Sequence, residues 1–259
     1  MYSKVVVTIG GSDSGGGAGI QADLRTFMAL KLHGCSVITC VTAQNSLGVD
    51  DIQDIRASLI SSQIKSLFND FQIDAIKTGM LFNKCIIETT AENIRRYPIP
   101  KIIDPVMVSR SGSKLLEEDA ISAYLELLLP QAEIVTPNIY EAKLLTNIDI
   151  NNEQDIEHAG EVILNLGVKA VLIKGGGIRD LSGKDFFIDN KGNKKWLSHK
   201  FIKTQNTHGS GCTLSAAICG YRALRLKTID SIKQSKLFVE KSLDNSYQIG
   251  SGPGPLGHH

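Results

Sequence analysis

The chain has 259 residues, with 28 basic and 27 acidic side chains and a net charge of +1. Apolar residues at 42% and charged residues at 21% are ordinary for a soluble globular protein, which excludes a disordered chain, and the near-neutral charge excludes a broad nucleic-acid surface. A chain of this length buries enough surface to hold a core without disulfides or metal, and α/β folds of this size are commonly one domain.

In chain order, residues 4–9 read as a buried strand, 10–17 as a loop and 18–32 as a helix. Ile20, Leu24, Phe27 and Leu30 lie near one face of that helix, and His33-Gly34 is its expected stop. A strand at 35–41 follows. Helical patterns recur over 57–70, 83–96, 117–129, 153–166, 212–225 and 228–247. Strand-like runs recur over 73–78, 101–104, 133–136 and 168–174. Between 184 and 204, two apolar runs flank Asp189-Asn190-Lys191-Gly192-Asn193 as a hairpin would. The alternation predicts one α/β domain over 1–259, a mainly parallel central sheet with helices on both faces. Five cysteines, none in a CxxC pair, point to a reducing cytoplasm rather than a disulfide framework. The apolar run near the N-terminus is too short for a signal peptide, and no stretch approaches the ~20 apolar residues of a membrane span. Whether His258-His259 are native or a tag remnant is open.

In such a fold ligands sit at the carboxyl ends of strands, and the unusual residues fall there. Gly10 to Asp23 reads GGSDSGGGAGIQAD between a strand and a helix, where glycines permit close backbone approach and a helix N-terminus favours anionic or polar ligands. No GK[ST] follows, so it is not a P-loop. A dinucleotide fingerprint is discounted because no acid ends the second strand. Thr204 to Thr213 opens the helix at 212, and Gly209, Ser210 and Gly211 suit an anion hole for a transferring phosphoryl group. Cys212 at that helix start is expected to have a lowered pKa and be partly thiolate; the alternative is a glycine turn with a structural cysteine. Asp104 ends a buried strand and suits a metal, a ligand or solvent equally. Asn138 and Glu141 have the spacing of a capping interaction, or else face Mg²⁺ waters and phosphate. Lys174 precedes Gly175-Gly176-Gly177, where a nucleotide could lie against the backbone and the lysine pair with phosphate.

Together these segments, with Thr42 to Gly48 and Lys77 to Leu81, resemble the ribokinase-like small-molecule kinases, and among them the hydroxymethylpyrimidine/phosphomethylpyrimidine kinases of thiamine biosynthesis. The resemblance covers nearly the whole chain and implies a three-layer α/β/α ribokinase-like fold. It implies a pyrimidine site at Gly11, Asp23, Gln44, Met80 and Val106. The nucleotide region falls to Asn138, Lys174 and Thr204, the Mg²⁺ and phosphate acids to Asp104 and Glu141, and the anion hole with the catalytic residue to Gly209, Ser210, Gly211 and Cys212. Most ribokinase-like enzymes carry Asp where this chain has Cys212. The tail at 250–255 matches the family's C-terminal glycine-proline pattern only loosely. Gln44 fits a 4-aminopyrimidine, since an amide offers one donor and one acceptor side by side. ATP with Mg²⁺ would phosphorylate first the pyrimidine's alcohol and then its monophosphate, with Arg110 a candidate for the added phosphate. The expected partners are a small-molecule pyrimidine and a second copy of the chain, with no nucleic acid and no membrane. Pyridoxal/pyridoxine kinase, alone or as a dual activity, is the nearest alternative; a non-catalytic nucleotide sensor is another.

Overall fold

Alternation along each central strand decides the layers. Val7 and Ile9 of β1 (Val5–Asp13) turn to one face of the sheet and Val6 to the other. Ile103 and Ile102 of β5 (Lys101–Ile103), Val135 and Ile134 of β6 (Ile134–Val135), and Ile173 and Leu172 of β7 (Ala170–Lys174) divide the same way. Strands apolar on both sides must be covered on both sides. One cover comprises α2 (Ala57–Asp70), α3 (Lys84–Ile94), α4 (Glu118–Ala123), α5 (Ile139–Thr146) and α6 (Glu153–Leu164). The other comprises α1 (Gly19–Ala29), α7 (Ser210–Ala223) and α8 (Thr228–Asp244). This computed structural model describes residues 4–107, 118–177, 181, 183–198, 200 and 202–259; Arg110 lies outside them.

The nine-stranded sheet has the order β3-β2-β1-β4-β5-β6-β7-β8-β9. The six central strands, including β2 (His33–Gln44) and β4 (Ile73–Thr78), run parallel. β3 (Val49–Asp54), β8 (Lys184–Asp189) and β9 (Lys194–Ser198) add antiparallel edges. The mainly parallel sheet between helical layers is the expected architecture, and the hairpin near 190 is present. The chain moves outward from β1 to β2 and returns to the other side as β4, so the strand order reverses beside β1, where open sheets of this kind form their ligand crevice.

Several bounds differ from the sequence reading. β1 runs on through Gly10 and Gly11 to Asp13, past a register shift between Gly10 and Ser12. The first helix stops at Ala29 because Lys31 turns into the left-handed region at φ 59°, and Gly34 lies within β2, where a Cβ would press Leu24 and Phe27 at 3.0 Å. The strand β3 was not anticipated, since VDDIQD is almost wholly exposed and carries no apolar face. Nor was α5, whose eight residues span barely two turns. Within 117–129, α4 passes into a π-helical turn at Tyr124–Leu128. No helix among the described residues is long and apolar enough to cross a membrane.

Candidate active site

The carboxyl ends of β1, β2, β4, β5, β6 and β7 and the N-terminus of α7 bring the sequence-derived residues to one side of the sheet. The first glycine loop does not present its amides to a ligand. Asp13 accepts the N–H groups of Gly15 (2.8 Å), Gly17 (3.1 Å) and Ala18 (2.8 Å), and its carboxylate meets the His208 ring at 3.0 Å. Burial works against the charge, but His208 and these amides hold the Asp13 carboxyl below its usual range. The expected anion position at the start of α1 is thus filled by the chain's own carboxylate. The glycines serve close packing. A Cβ on Gly17 would collide with the His208 ring, and one on Gly209 with the carbonyl of Gly17.

Gly209 stands at φ +84° as the N-cap of α7. The Ser210 amide bonds the Thr207 carbonyl at 3.2 Å, so it is not one of the converging donors that the sequence suggested. Thr213 makes the first intrahelical bond, to Gly209, which leaves the amides of Gly211 and Cys212 as first-turn donors by the geometry of any helix start. The Lys174 ammonium lies 3.5 Å from where a Cβ on Gly211 would stand, placing a cation beside them.

Two acids flank this point. Asp104, 2% exposed, accepts from Lys174 (3.2 Å), Thr136 (3.1 Å) and Ser215 (2.9 Å). Glu141 closes a full capping box: the Asn138 side chain accepts its N–H at 2.9 Å and its carboxylate accepts the Asn138 N–H at 2.8 Å. The capping reading of that pair therefore holds. Burial pushes the Glu141 carboxyl up to about 7; Lys174 pulls the other way and Asp104 adds repulsion. Lys174 and Asn138 meet across a parallel bridge that joins β7 to the start of α5. Among the described residues no three His, Cys, Asp or Glu side chains gather as a metal cage.

Gln44 ends β2, half-buried, with its carbonyl oxygen bonded by Thr42 at 3.1 Å and its amide nitrogen 3.5 Å from the His208 ring. Gly11 lies against Met80: a Cβ there would sit 3.7 Å from the Met80 sulfur and 2.9 Å from that of Cys40. Val106 follows Asp104, partly exposed. Thr204 turns instead to the chain beyond α8, its hydroxyl 3.1 Å from that of Ser246.

Asp23 and Cys212 depart from expectation. Asp23 is 1% exposed, with both oxygens held by Lys77 at 2.6 and 2.7 Å and a further bond from Thr8 at 2.6 Å. It has no surface to offer a ligand. Cys212 is partly exposed but its thiol is pushed up to about 11, first by burial of the sulfur and then by the nearby Asp23 and Asp104 carboxylates. Lys77 and the Gly19 N–H pull it back only in part. The expected thiolate is therefore a thiol. The helix start favours a negative charge, but burial of the sulfur outweighs it and two buried carboxylates add to the opposition.

The tail joins the site. Asn206 accepts the Gly254 N–H at 2.8 Å, Ser46 accepts that of Gly252 at 3.1 Å, and His258 meets the Thr213 hydroxyl at 2.9 Å. Lys77, the Asp13–His208 pair and Ser215 were not assigned roles from sequence. Only Lys77 left a signal there: a charge at an inward position of a buried strand.

The family model described as phosphomethylpyrimidine kinase matches residues 13–257. A hydroxymethylpyrimidine/phosphomethylpyrimidine kinase of Synechococcus elongatus is 48% identical over 259 residues, spanning 100% of this chain and 98% of its own. The Escherichia coli enzyme of that name is 39% identical over 256 residues, 97% of this chain and 96% of its own. The crystal structure of a phosphomethylpyrimidine kinase from Clostridium difficile superposes with a TM-score of 0.84 at 39% identity, over 93% of this chain and 100% of that one. The ADP complex of Bacillus subtilis pyridoxal kinase superposes with a TM-score of 0.91 at 33% identity, over 98% and 97%.

Proposed function

The chain belongs to the phosphomethylpyrimidine kinase family, and from that premise we propose that it uses ATP to phosphorylate 4-amino-5-hydroxymethyl-2-methylpyrimidine and then the resulting monophosphate, within thiamine biosynthesis. The observation that carries the reading is the convergence of the α7 N-terminus, Lys174, Asp104 and Glu141 at one strand end, with Gln44 reached across His208.

Phosphoryl transfer needs donors placed where charge develops, more than covalent chemistry. The first-turn amides of α7 and the Lys174 ammonium supply them. Gln44 reads the amino and ring-nitrogen edge of the pyrimidine, with Gly11, Met80 and Val106 around the ring. Asn138 and Lys174 face the nucleotide, and Thr204 braces the loop before α7 from its far side. The buried acids fit Mg²⁺, which takes one or two carboxylates and fills its shell with phosphates and water. Glu141 supports that fit, because burial and the repulsion of Asp104 raise its carboxyl to about 7 even with the Lys174 ammonium nearby. Mg²⁺ held by Asp104 and Glu141 would neutralise charge on the phosphates.

In the first step the pyrimidine's alcohol attacks the γ-phosphate and loses a proton. Cys212 meets it as a thiol, so only its small thiolate fraction accepts that proton, and the donors of α7 supply the larger share of the rate. In the second step the attacking oxygen is already ionised. ADP release measured with ATP and Mg²⁺ tests the reading on hydroxymethylpyrimidine, its monophosphate, pyridoxal and pyridoxine. Turnover of both pyrimidines is expected. Turnover of pyridoxal or pyridoxine alone would replace this substrate with the pyridine ring.

A further inference from the structure

Two loops far apart in the chain meet beside Gln44. His208, in the loop before α7, reaches back to the first glycine loop. Its Nε2 lies 3.0 Å from an Asp13 oxygen that also accepts the Gly17 and Ala18 amides. The ring has no room to swing, since a Cβ on Gly17 would strike it. The C-terminal tail holds its backbone: the His208 N–H donates to the Gly254 carbonyl at 3.1 Å, and His208 and Pro255 form a parallel bridge. Gln44 is tied as firmly. The Ser14 hydroxyl accepts its N–H at 2.8 Å and donates to its carbonyl at 2.9 Å.

The protons on these groups can be counted. Asp13 is an ionised acceptor, so the ring Nε2 carries a hydrogen and donates it there. The amide end of Gln44 comes within 3.5 Å of the same Nε2 and meets the Thr42 hydroxyl at 3.1 Å on its other edge. That hydroxyl has a single proton, and the Ser12 carbonyl, also at 3.1 Å, can only accept it. Thr42 therefore turns a lone pair to Gln44, and His208 turns an N–H to it. An amide turned end for end fills the same space, so pairing decides its sense. With the oxygen toward His208 and the NH₂ toward Thr42, every group is paired. With the reverse, nitrogen meets N–H and oxygen meets a lone pair.

We propose that His208 is a positioning residue that sets the specificity of the ring pocket: clamped by Asp13 and by the tail, its N–H holds the Gln44 amide one way round, so that the site takes a ring with a donor amine beside an acceptor nitrogen and rejects a ring in which the two are reversed. The proposal rests on the reading of Gln44 as the residue that meets the pyrimidine's polar edge. An amide free to turn would serve both rings; a fixed one leaves both groups of the reversed ring unpaired.

The test compares two rings that share the reacting alcohol. One is hydroxymethylpyrimidine. The other is its 4-oxo analogue, with a carbonyl in place of the amine and an N–H in place of the neighbouring ring nitrogen. ADP release gives kcat/KM for each ring in the parent and in His208→Leu, His208→Gln and Thr42→Val. Where turnover is too slow to time, the Kd values of the two rings give the ratio. Two mispaired groups should make the parent favour the amino ring at least about 30-fold. His208→Leu and the isosteric Thr42→Val each free the amide to turn, and the preference should fall at least about fivefold. His208→Gln returns a donor at the reach of Nε2 and should stay near the parent ratio. Damage to the fold alone weakens both rings together and leaves the ratio where it was. A parent that takes both rings alike, or a folded His208→Leu protein with the parent ratio, overturns the proposal. If His208→Leu does not fold, Thr42→Val decides, and an unmoved ratio rejects it. A parent that takes neither ring overturns the pyrimidine reading itself, and the proposal with it.

Discussion

Replacing Glu141 by Gln separates its cap from its charge. Glutamine serves as well as glutamate at the third position of a capping box, so the bonds with Asn138 can persist. The charge cannot. In the folded chain burial moves the Glu141 carboxyl from an ordinary 4.5 to about 7. Between those values the folded protein keeps a proton that the unfolded chain has released, so stability falls as pH rises through the window. The loss is on the order of 3 kcal/mol by pH ~8. Glu141→Gln has nothing to ionise and escapes it, while titrating groups away from Asp104 and Lys174 contribute to both proteins alike. Denaturant unfolding without Mg²⁺ at pH 5 and pH 8 should therefore show parent and variant nearly equal at the lower pH and the variant more stable at the higher. Added Mg²⁺ should return stability at pH 8 to the parent and not to the variant. Turnover of the variant should fall by at least ~10- to 100-fold, the range for groups supporting a metal. The same pH slope in both proteins, or retained turnover with an unchanged Mg²⁺ requirement, would refute the reasoning and leave Glu141 as a cap.

Three further outcomes are expected. Gln44→Leu leaves the pyrimidine's polar edge unpaired at about 1–3 kcal/mol per group, so KM for hydroxymethylpyrimidine should rise at least about fivefold while KM for ATP holds; an unchanged pyrimidine KM would put Gln44 outside the pocket. Cys212→Ala should slow the first phosphorylation by up to ~10²–10⁴-fold and the second by less, since only the first starts from a neutral alcohol. Single-step rates decide this, and equal losses would mean that Cys212 shapes the donors without taking a proton. Gly209→Ala puts a Cβ against the Gly17 carbonyl at φ +84°, so the two loops must part; melting temperature and both rates should drop together, and a variant matching the parent would show that the loops need not touch.

The order of strands and helices, the parallel sheet and the loops at its carboxyl edge were legible in the sequence because they follow from local patterns. Apolar runs of four to six residues make buried strands, 3.6-residue spacing makes covering helices, and glycines and short polar residues collect where strands end. The family resemblance rests on those same loops. β3 was lost because an exposed edge strand needs no apolar face, and α5 because its signal is as short as a cap. What the sequence could not decide is the sign of each electrostatic environment. Asp13 and Asp23 lie ten residues apart around one loop, yet one accepts three backbone amides and a histidine while the other pairs with a lysine 54 residues away. Cys212 at a helix start reads locally as a thiolate, but it is burial of the sulfur that prevents it, helped by carboxylates from α1 and from the residue after β5. Spacing along the chain determines which residues reach the edge of the sheet. Strand register and the packing of α7 over β1 and β4 determine which charges they meet there, because Coulomb interactions depend on distance through space and on the exclusion of water.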